Sequence, residues 1–440
     1  MPVRCALLPL LTAVAVSSCR SGPPPALTPD RLPARKAISL AILEDYDKGQ
    51  DLAAVARDFG RFRELGITTW RGSFGWDDYE PEPDAYDFAW LRDFVELARD
   101  SGISLRPYLA YTPAWAAAGR GDDGHLWNDP PRDVASWARF VDTIAAELGG
   151  YANLLSWEIY NEENVPLWWD GSAAEYNAVL GAAATRIRAR DPDAEVLIGG
   201  TVWPDSDWLE AACVTHGNAA AFDVAPFHAY PETWPDTLAL EAYLDENYRR
   251  WYLEAVDSSC GGKPVWINEA GFATIPGRTE AQQARWWARA FAVFFAAPRV
   301  EHIGVYEIRD LQRDSDVIGE TPNYYLGLLR ADGTPKLAFK TVAMLARLFD
   351  ADSLTVMDHA LEPAAAAGLY RHLFLMPGGR RLLFAWGVDG PLVVTLPTAG
   401  SRAVRYGLDG TSQPVRLTGG GRRLTLNLTA QDVAIVEVFR

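Results

Sequence analysis

Short apolar runs alternate with longer helical patterns over residues 37–350, and this alternation restricts the possible folds of the chain most strongly. The runs are rich in β-branched and aromatic residues, which is typical of buried strands. They lie at 38–43, 67–71, 103–109, 153–160, 195–200, 222–228, 264–268 and 302–308. Helical patterns separate or follow them, for example at 51–65, 88–100, 133–148, 173–190, 238–256, 279–297 and 334–349. Eight strand–helix units predict an α/β fold, a closed (β/α)8 TIM barrel over 37–350.

The connections from strands to helices are long and contain many Trp, Tyr, Gly, Pro and acidic residues, whereas the connections from helices to strands are mostly short. In barrels of this kind the loops after the strands form the catalytic face. We therefore expect any active site at the carboxyl ends of the strands.

From residue 351 onwards the pattern changes to short alternating runs separated by glycine-containing turns, for example 377–379, 388–390, 408–410 and 419–421. This pattern predicts an all-β, sandwich-like accessory domain over 351–440. Trp386 is the one obvious aromatic candidate for a sugar-binding platform there, and we favour a structural role for the domain.

The amino terminus has the pattern of a targeting segment: a short basic start, an apolar stretch over 5–16, and a lipobox-like sequence that ends in Cys19. Residues 1–19 are therefore predicted to be a lipoprotein signal peptide in which Cys19 is lipidated. The proline-rich residues 20–36 are predicted to be an extended tether. An exported bacterial lipoprotein, anchored to a membrane at the periplasm or cell surface, follows from this interpretation; an ordinary cleaved signal peptide is the alternative.

The composition of the chain argues against several kinds of binding partner. The formal net charge of −17 argues against nucleic acid and against anionic membrane surfaces, so we expect membrane association only through the lipid anchor. The six histidines form no metal-binding pattern, and we expect neither a metal nor another cofactor. Cys213 and Cys260 are either bridged by a disulfide, which an exported compartment permits, or two unpaired thiols.

Two strand-like runs end in the same Asn-Glu pair: WEIYNE at 157–162 and VWINE at 265–269. Carboxylates at the ends of two parallel strands suit cleavage of a glycosidic bond, in which one group protonates the leaving oxygen and the other attacks the sugar. Glu162 and Glu269 are the predicted pair. Glu158 lies inside the strand and needs a partner, which Arg71 or Arg106 could supply. Glu163 is predicted to be a solvated surface charge.

At these motifs the sequence resembles the clan A retaining glycoside hydrolases, particularly family 39 and its relatives in family 5. The resemblance implies that Glu162 is the acid/base, that Asn161 contacts the sugar 2-hydroxyl, and that Glu269 is the nucleophile. It also implies that Arg71 lies near the nucleophile. In the His-x-Tyr motif of His228 and Tyr230, the tyrosine is expected to hold an oxygen of the nucleophile.

Two features depart from the family pattern. Glu163 replaces the usual proline after Asn-Glu, and the eighth strand ends in YEIRD at 306–310, where many relatives place a tryptophan beneath the sugar. Glu307 is therefore a substrate-binding candidate. The tryptophans of the catalytic-face loops are further candidates, of which two or three are expected to stack on sugar rings: Trp76, Trp115, Trp127, Trp168, Trp169, Trp203 and Trp234.

The predicted function is a retaining glycoside hydrolase that cleaves β-glycosidic bonds in an oligo- or polysaccharide. The sequence identifies neither the sugar nor endo or exo action, and it does not predict an oligomeric state. The alternatives are a non-catalytic glycan-binding lipoprotein on the same barrel and a metal-dependent hydrolase.

Overall fold

The computed structural model describes residues 35–119, 124–234, 238–312, 321–365 and 368–440. The predicted signal peptide, Cys19 and most of the predicted tether lie outside these residues. Among these residues, none of the helices combines the length and the apolar composition that a membrane-spanning segment requires.

The predicted tether extends two residues too far. Strand β1 (Arg35–Ala37) pairs antiparallel with the start of the C-terminal domain, with Arg35 opposite Thr355 and Ala37 opposite Ser353. Arg35 also donates to the Ser353 hydroxyl at 2.7 Å. The pairing is made by backbone groups at a sheet edge, so no apolar pattern in the sequence marks it.

The predicted barrel is confirmed by a sheet of eight parallel strands in the order β6-β5-β4-β3-β2-β9-β8-β7. Isolated parallel bridges, Leu197 to Val224 and Thr201 to Phe227, connect the two end strands and nearly close it. The strands are β2 (Ser39–Leu43), β3 (Thr69–Gly75), β4 (Ser104–Ala110), β5 (Ser156–Ile159), β6 (Glu195–Ile198), β7 (Ala225–Ala229), β8 (Val265–Ala270) and β9 (Val300–Val305). These are barrel strands one to eight.

Helices surround the barrel and begin where the sequence provides caps. Asp51 and Asp133 accept from backbone amides of the first turns that follow them, and Ser172 and Thr279 form capping boxes. The helices are α1 (Leu52–Leu65), α2 (Trp76–Tyr79), α3 (Ala89–Asp100), α4 (Val134–Leu148), α5 (Ala173–Arg190), α6 (Ser206–Glu210), α7 (Leu240–Tyr243), α8 (Leu253–Ser258), α9 (Glu280–Ala296) and α10 (Leu337–Leu348). The predicted helix 238–256 is not regular, because the π-helical segment Leu244–Tyr252 separates α7 from α8.

A disulfide joins Cys213 to Cys260, with their Cα atoms 5.4 Å apart. Cys213 lies in the π-helical segment Ala211–Thr215 that continues α6, and Cys260 follows α8. Both positions precede a barrel strand, so the bond lies on the face opposite the catalytic loops.

The C-terminal residues form two antiparallel sheets, in the orders β1-β10-β11-β12-β18-β14-β15 and β13-β17-β16. Their strands are β10 (Ser353–Val356), β11 (Tyr370–Leu375), β12 (Arg381–Trp386), β13 (Gly390–Thr395), β14 (Arg402–Tyr406), β15 (Ser412–Val415), β16 (Leu417–Thr418), β17 (Arg423–Leu428) and β18 (Val433–Phe439). The predicted all-β domain is thus confirmed as a fold.

Alternation along β12 explains how this domain packs. Leu383 faces the small sheet and its apolar cluster, whereas Phe384 joins the cluster that continues into the barrel. Phe349, just after α10, stacks on Phe384 with ring centroids 5.8 Å apart. Trp386 is buried, and its indole N–H donates to Glu241 at 2.9 Å. The one aromatic candidate for a second sugar platform is therefore part of the domain junction.

Candidate active site

Glu162 and Glu269 meet at the carboxyl end of the barrel. Glu162 lies just after β5 and Glu269 near the end of β8, so both side chains enter the same mouth. One oxygen of each carboxyl group lies within 4.8 Å of the other. The side chains are 11% and 12% exposed, so they remain accessible at the base of the cleft.

Arg71 lies on β3 and forms hydrogen bonds with several acidic and amide side chains of the site. Its guanidinium donates twice to Glu158, at 2.8 Å each, and once to Glu269 Oε2 at 3.1 Å. It also donates to Asn161 Oδ1 at 2.8 Å. Burial alone lowers the pKa of Arg71, but the charges of Glu158 and Glu269 outweigh it and raise the pKa. Arg71 therefore holds a fixed positive charge next to Glu269.

Glu158 is the buried anchor of this arrangement. Besides Arg71, it accepts from Asn268 Nδ2 at 2.9 and 3.0 Å and from the backbone amide of Gly200 at 2.9 Å. Of the two partners considered for Glu158, Arg71 is the one observed. Arg106 instead pairs with Glu195 at 2.9 Å. Asn268 had no role in the sequence interpretation, although it repeats the Asn-Glu pattern of Asn161.

Glu162 has a different environment. Its Oε1 lies 2.6 Å from Nδ1 of His228, and its backbone φ of 55° is in the left-handed region, which is costly for a residue other than glycine. Burial raises the pKa of Glu162 to about 8, against the opposing effects of Arg71 and of a hydrogen bond from the Trp168 side chain. At neutral pH the group therefore holds a proton.

Glu269 has three partners that favour its charged form. The Tyr230 hydroxyl donates to Oε1, Arg71 donates to Oε2, and His228 Nδ1 lies 3.6 Å from Oε2. Burial and the neighbouring Glu162 nevertheless raise the pKa of Glu269, while His228, Arg71 and Tyr230 lower it. Arg71 therefore offsets only part of the rise in the Glu269 pKa that burial causes.

His228 connects the two acids. Burial lowers the pKa of its imidazole to about 4, so the ring is neutral near pH 7 and can donate or accept one proton at Nδ1. Within the described part of the chain, Nε2 has no hydrogen-bond partner and packs over Gly200. A Cβ at residue 200 would lie 2.5 Å from Nε2, so only glycine permits this approach.

The tryptophan candidates divide into two groups. Trp76 was expected to bind substrate but is 0% exposed, because α2 turns it inward onto Trp137 at 5.5 Å. Trp169 is also buried, against Tyr160. Both are therefore core residues, and the expectation that they could stack on sugar rings was wrong. The other candidates are half-buried: Trp115, Trp127, Trp168, Trp203 and Trp234.

Among the half-buried tryptophans, Trp168 and Trp127 pack together with ring centroids 5.6 Å apart, on the Glu162 side of the cleft. Trp127 in turn packs edge-on against Tyr111 at 5.7 Å. Trp115 donates to the backbone carbonyl of Glu80 at 2.9 Å. Trp234 packs edge-on against Tyr230 at 5.4 Å, near the nucleophile candidate.

Glu163 is not the surface charge that the sequence suggested. It is 1% exposed, accepts from the Trp208 indole at 3.1 Å, and burial raises its pKa to about 8. Because the backbone of Glu162 is left-handed, the Glu163 side chain turns towards the interior of the protein. Gly199 has no side chain and leaves space for it. A Cβ at that position would lie 2.0 Å from Glu163 Oε2.

Glu307 lies just beyond β9 and is 2% exposed. Asp45, just beyond β2, lies near it at the cleft and accepts from the Tyr108 hydroxyl at 3.3 Å. Tyr306, just after β9, packs edge-on against Tyr230 with ring centroids 6.3 Å apart. Asp45 and Tyr306 were not identified from the sequence as site residues. Their position immediately after the first and eighth strands was the available signal.

In the described residues, Glu162, His228 and Glu269 form the single group of three ligand-type side chains whose ligand atoms lie within 4.8 Å of one another. The group could in principle hold a metal ion. The guanidinium of Arg71, 3.1 Å from Glu269 Oε2, would repel a cation there. The hydrogen bonds among these residues suit proton transfer better.

Comparisons with known proteins find similarity to glycoside hydrolases. Residues 46–125 match the glycoside hydrolase 42 family model, described as beta-galactosidase. Over 135 residues the chain is 26% identical to Beta-galactosidase YesZ of Bacillus subtilis (strain 168), and the match covers 27% of this chain and 20% of that protein.

Solved structures align over most of the chain. A family 39 glycoside hydrolase from Bacteroides cellulosilyticus WH2 aligns with a TM-score of 0.69 at 19% identity, covering 91% of this chain and 81% of the other. The chain has the fold of the clan A glycoside hydrolases. A monomeric beta-xylosidase from Caulobacter crescentus CB15 aligns with a TM-score of 0.65 at 16% identity, covering 92% and 97%. The predicted likeness to family 39 is thus confirmed.

Proposed function

We propose that the protein is a retaining glycoside hydrolase in which Glu269 is the nucleophile and Glu162 the acid/base. The separation of the two carboxyl groups carries the proposal, since an oxygen of each lies within 4.8 Å of the other. Retaining enzymes place the two groups about 5–5.5 Å apart, whereas inverting enzymes need about 6.5–9.5 Å to admit a water molecule.

In the first step a Glu269 oxygen forms a bond to the anomeric carbon as the glycosidic C–O bond breaks. The proton of Glu162 passes to the leaving oxygen. A raised pKa of about 8 keeps Glu162 protonated for this task. In the second step Glu162 accepts a proton from water, and the water oxygen displaces Glu269 and releases the sugar.

The remaining residues hold the nucleophile and the acid in position. Arg71 and the Tyr230 hydroxyl each bind one oxygen of Glu269 and fix its orientation. Asn161, fixed by Arg71 at 2.8 Å, projects beside the acid, where it can meet a sugar hydroxyl. We assign the substrate a β-glycosidic bond, supported by relatives named beta-galactosidase and beta-xylosidase.

The test uses azide as a small external nucleophile. With an activated aryl β-glycoside, Glu269→Ala should have no turnover until azide is added, and should then form the glycosyl azide of inverted configuration. Glu162→Ala should form the azide of retained configuration. The two anomers are separable by proton NMR.

Glu254→Gln, a change on the exposed face of α8, is the control and should retain wild-type activity. Exchanged azide configurations would reverse the two roles. Wild-type protein that binds oligosaccharides but releases no product from any glycoside would instead favour the glycan-binding alternative. Inhibition by a chelator that added metal reverses would favour the metal-dependent hydrolase.

We further propose that Cys19 is lipidated and that the enzyme acts as an exported lipoprotein. The support is the apolar stretch followed by a lipobox-like sequence. Full-length protein expressed in a bacterium should sediment with membranes, and Cys19→Ser should move it to the soluble fraction. Equal sedimentation of both forms would contradict lipidation at Cys19.

A further inference from the structure

A short turn after β5 joins Glu162 to Trp168. The backbone amide of Val165 donates to the carbonyl of Glu162 at 3.2 Å, and the amide of Trp168 donates to the carbonyl of Val165 at 3.1 Å. The turn returns the Trp168 side chain to the Glu162 carboxyl group, with which it forms a hydrogen bond. One indole ring of the catalytic face therefore lies directly beside the acid.

Trp127 supplies a second indole ring from the loop that follows β4. Its backbone carbonyl accepts from the amide of Thr112 at 2.9 Å, which fixes this part of the loop to the end of the strand. The ring packs on Trp168 with centroids 5.6 Å apart and planes inclined by 57°, and it packs edge-on against Tyr111 at 5.7 Å. Trp127 and Trp168, which we call the indole pair, are both half-buried, so part of each side chain is accessible from solvent.

Asn128 holds the two loops of the indole pair together. Its side-chain amide donates to the carbonyls of Pro166 and Leu167, at 3.2 and 3.3 Å, and its backbone carbonyl accepts from the amide of Asp170 at 2.8 Å. Asn128 is 1% exposed, so these bonds are shielded from water. The indole pair is therefore fixed before a ligand arrives, which lowers the entropic cost of binding to it.

The hydrogen bond between Trp168 and Glu162 identifies the part of the substrate that the indole pair faces. In the proposed mechanism Glu162 gives its proton to the leaving oxygen, so this oxygen must come within hydrogen-bond distance of the carboxyl group. The chemical group bonded to the leaving oxygen then lies next to Trp168. The indole pair thus borders the position of the aglycone, which is the part of the substrate that departs in the first step.

A pyranose ring suits this position better than a purely apolar group. The C–H groups on the face of a pyranose can pack on the flat apolar face of an indole, while the hydroxyl groups at its edge need polar neighbours. Such neighbours are present beside Trp127. The exposed imidazole of His125 lies 5.5 Å from the Trp127 ring, and the ring of Tyr111, which contacts Trp127, carries a hydroxyl.

We propose that Trp127 and Trp168 form a binding site for a sugar ring on the leaving-group side, so that the natural substrate is at least a disaccharide and not the glycoside of a small or apolar alcohol. This assignment rests on the proposed function, because Glu162 marks the leaving-group side only if it is the acid. The glycone, which is the sugar that is transferred to Glu269, is bound by other residues.

Substrates that differ only in the leaving group test the proposal. For a xylosyl glycone these are xylobiose, methyl β-xyloside and octyl β-xyloside; the galactosyl counterparts are used if the wild type hydrolyses aryl β-galactosides faster. All three need the proton of Glu162, but only the disaccharide has a sugar ring beyond the leaving oxygen. Trp127→Ala should lower kcat/KM for the disaccharide about 10-fold or more and leave that for the methyl glycoside within about two-fold of wild type.

The other outcomes contradict the proposal. An equal loss on all three substrates would show general damage to the site, and no loss on the disaccharide would show that Trp127 does not bind the leaving group. A loss on the octyl glycoside that equals or exceeds the loss on the disaccharide would identify an apolar aglycone. A wild type that hydrolyses aryl glycosides but no β-linked disaccharide would also overturn the proposal.

Trp90→Ala is the matched control, because Trp90 is another half-buried tryptophan, on α3, whose indole donates to the carbonyl of Gln50 at 2.9 Å. It should change kcat/KM for the disaccharide and for the methyl glycoside by the same factor. Trp168→Ala should act in the same direction as Trp127→Ala. Trp127 is the more informative position, because Trp168 also contacts the acid.

Hydrolysis of an activated aryl β-glycoside by the wild type separates this proposal from the proposed function. Turnover of the aryl glycoside, together with an unchanged preference for the disaccharide in Trp127→Ala, would refute the sugar site alone. A wild type that hydrolyses no glycoside would refute the proposed function. Calorimetry would then still decide on the sugar site, because binding of the disaccharide should weaken in Trp127→Ala, and equal binding by both proteins would refute the site as well.

Discussion

Glu158 and Glu162 lie on the same strand and the loop that follows it, but their carboxyl groups have opposite surroundings. Glu158 accepts hydrogen bonds from Arg71, Asn268 and the Gly200 amide. Glu162 has His228 at 2.6 Å and a weaker contribution from Trp168. A carboxylate with many donors holds the surrounding side chains in place, whereas a desolvated carboxyl with few donors keeps a proton that it can transfer.

The largest expected effect concerns the transferable proton. Glu162→Gln should lower kcat/KM by about 10²–10⁴-fold on substrates with poor leaving groups, because the general acid is lost. Substrates with highly activated aryl leaving groups should lose much less in the first step. Kinetics on a series of aryl glycosides measures this dependence, and an equal loss across the series would show that Glu162 is not the acid.

The second effect concerns the structural carboxylate. Glu158→Gln should lower the free energy of unfolding by about 3–5 kcal/mol, because it leaves the buried Arg71 charge with fewer partners. Glu162→Gln should not lower it. Urea unfolding compares the two variants, with Glu254→Gln as a surface control within about 0.5 kcal/mol of wild type. Equal destabilisation by both substitutions would remove the distinction between the two acids.

The pH dependence of kcat/KM should report the protonation of Glu162 and of Glu269. The acid must be protonated, so activity should fall as pH rises through the Glu162 pKa of about 8. The nucleophile must be charged, so activity should fall at low pH as Glu269 gains a proton, and this limb should lie above the ordinary value of 4.5 because burial raises the pKa of Glu269. The alkaline limb should disappear in Glu162→Gln; its persistence there would assign it to another group.

The sequence was sufficient to predict the barrel, because eight apolar runs separated by helical patterns are a local and repeated signal. The Asn-Glu pairs after strands four and seven likewise predicted that Glu162 and Glu269 would lie at the same end of the barrel. Both predictions depend only on where the strands lie in the sequence, and hydrophobic patterns locate strands well.

The burial of individual loop residues was not predictable in the same way. Trp76 and Trp168 both lie in loops after strands, but one turns onto Trp137 while the other remains at the cleft. Glu163 is buried because of the left-handed backbone at Glu162 and the space above Gly199. These outcomes depend on contacts between distant segments, for which the local sequence has no pattern.

The smallest expected effect concerns the contribution of Trp168 to the pKa of Glu162. A hydrogen bond from Trp168 lowers the pKa of Glu162, so Trp168→Phe should move the alkaline limb of kcat/KM to higher pH. The shift should be no more than about one pH unit, because one unit corresponds to about 1.4 kcal/mol, the size of a single hydrogen bond. Trp127→Phe is the matched control, since Trp127 packs on Trp168 at 5.6 Å and should leave the limb in place. A shift to lower pH in Trp168→Phe would mean that the indole stabilises the protonated acid. The raised pKa of Glu162 would then not result from the small number of hydrogen-bond donors around it.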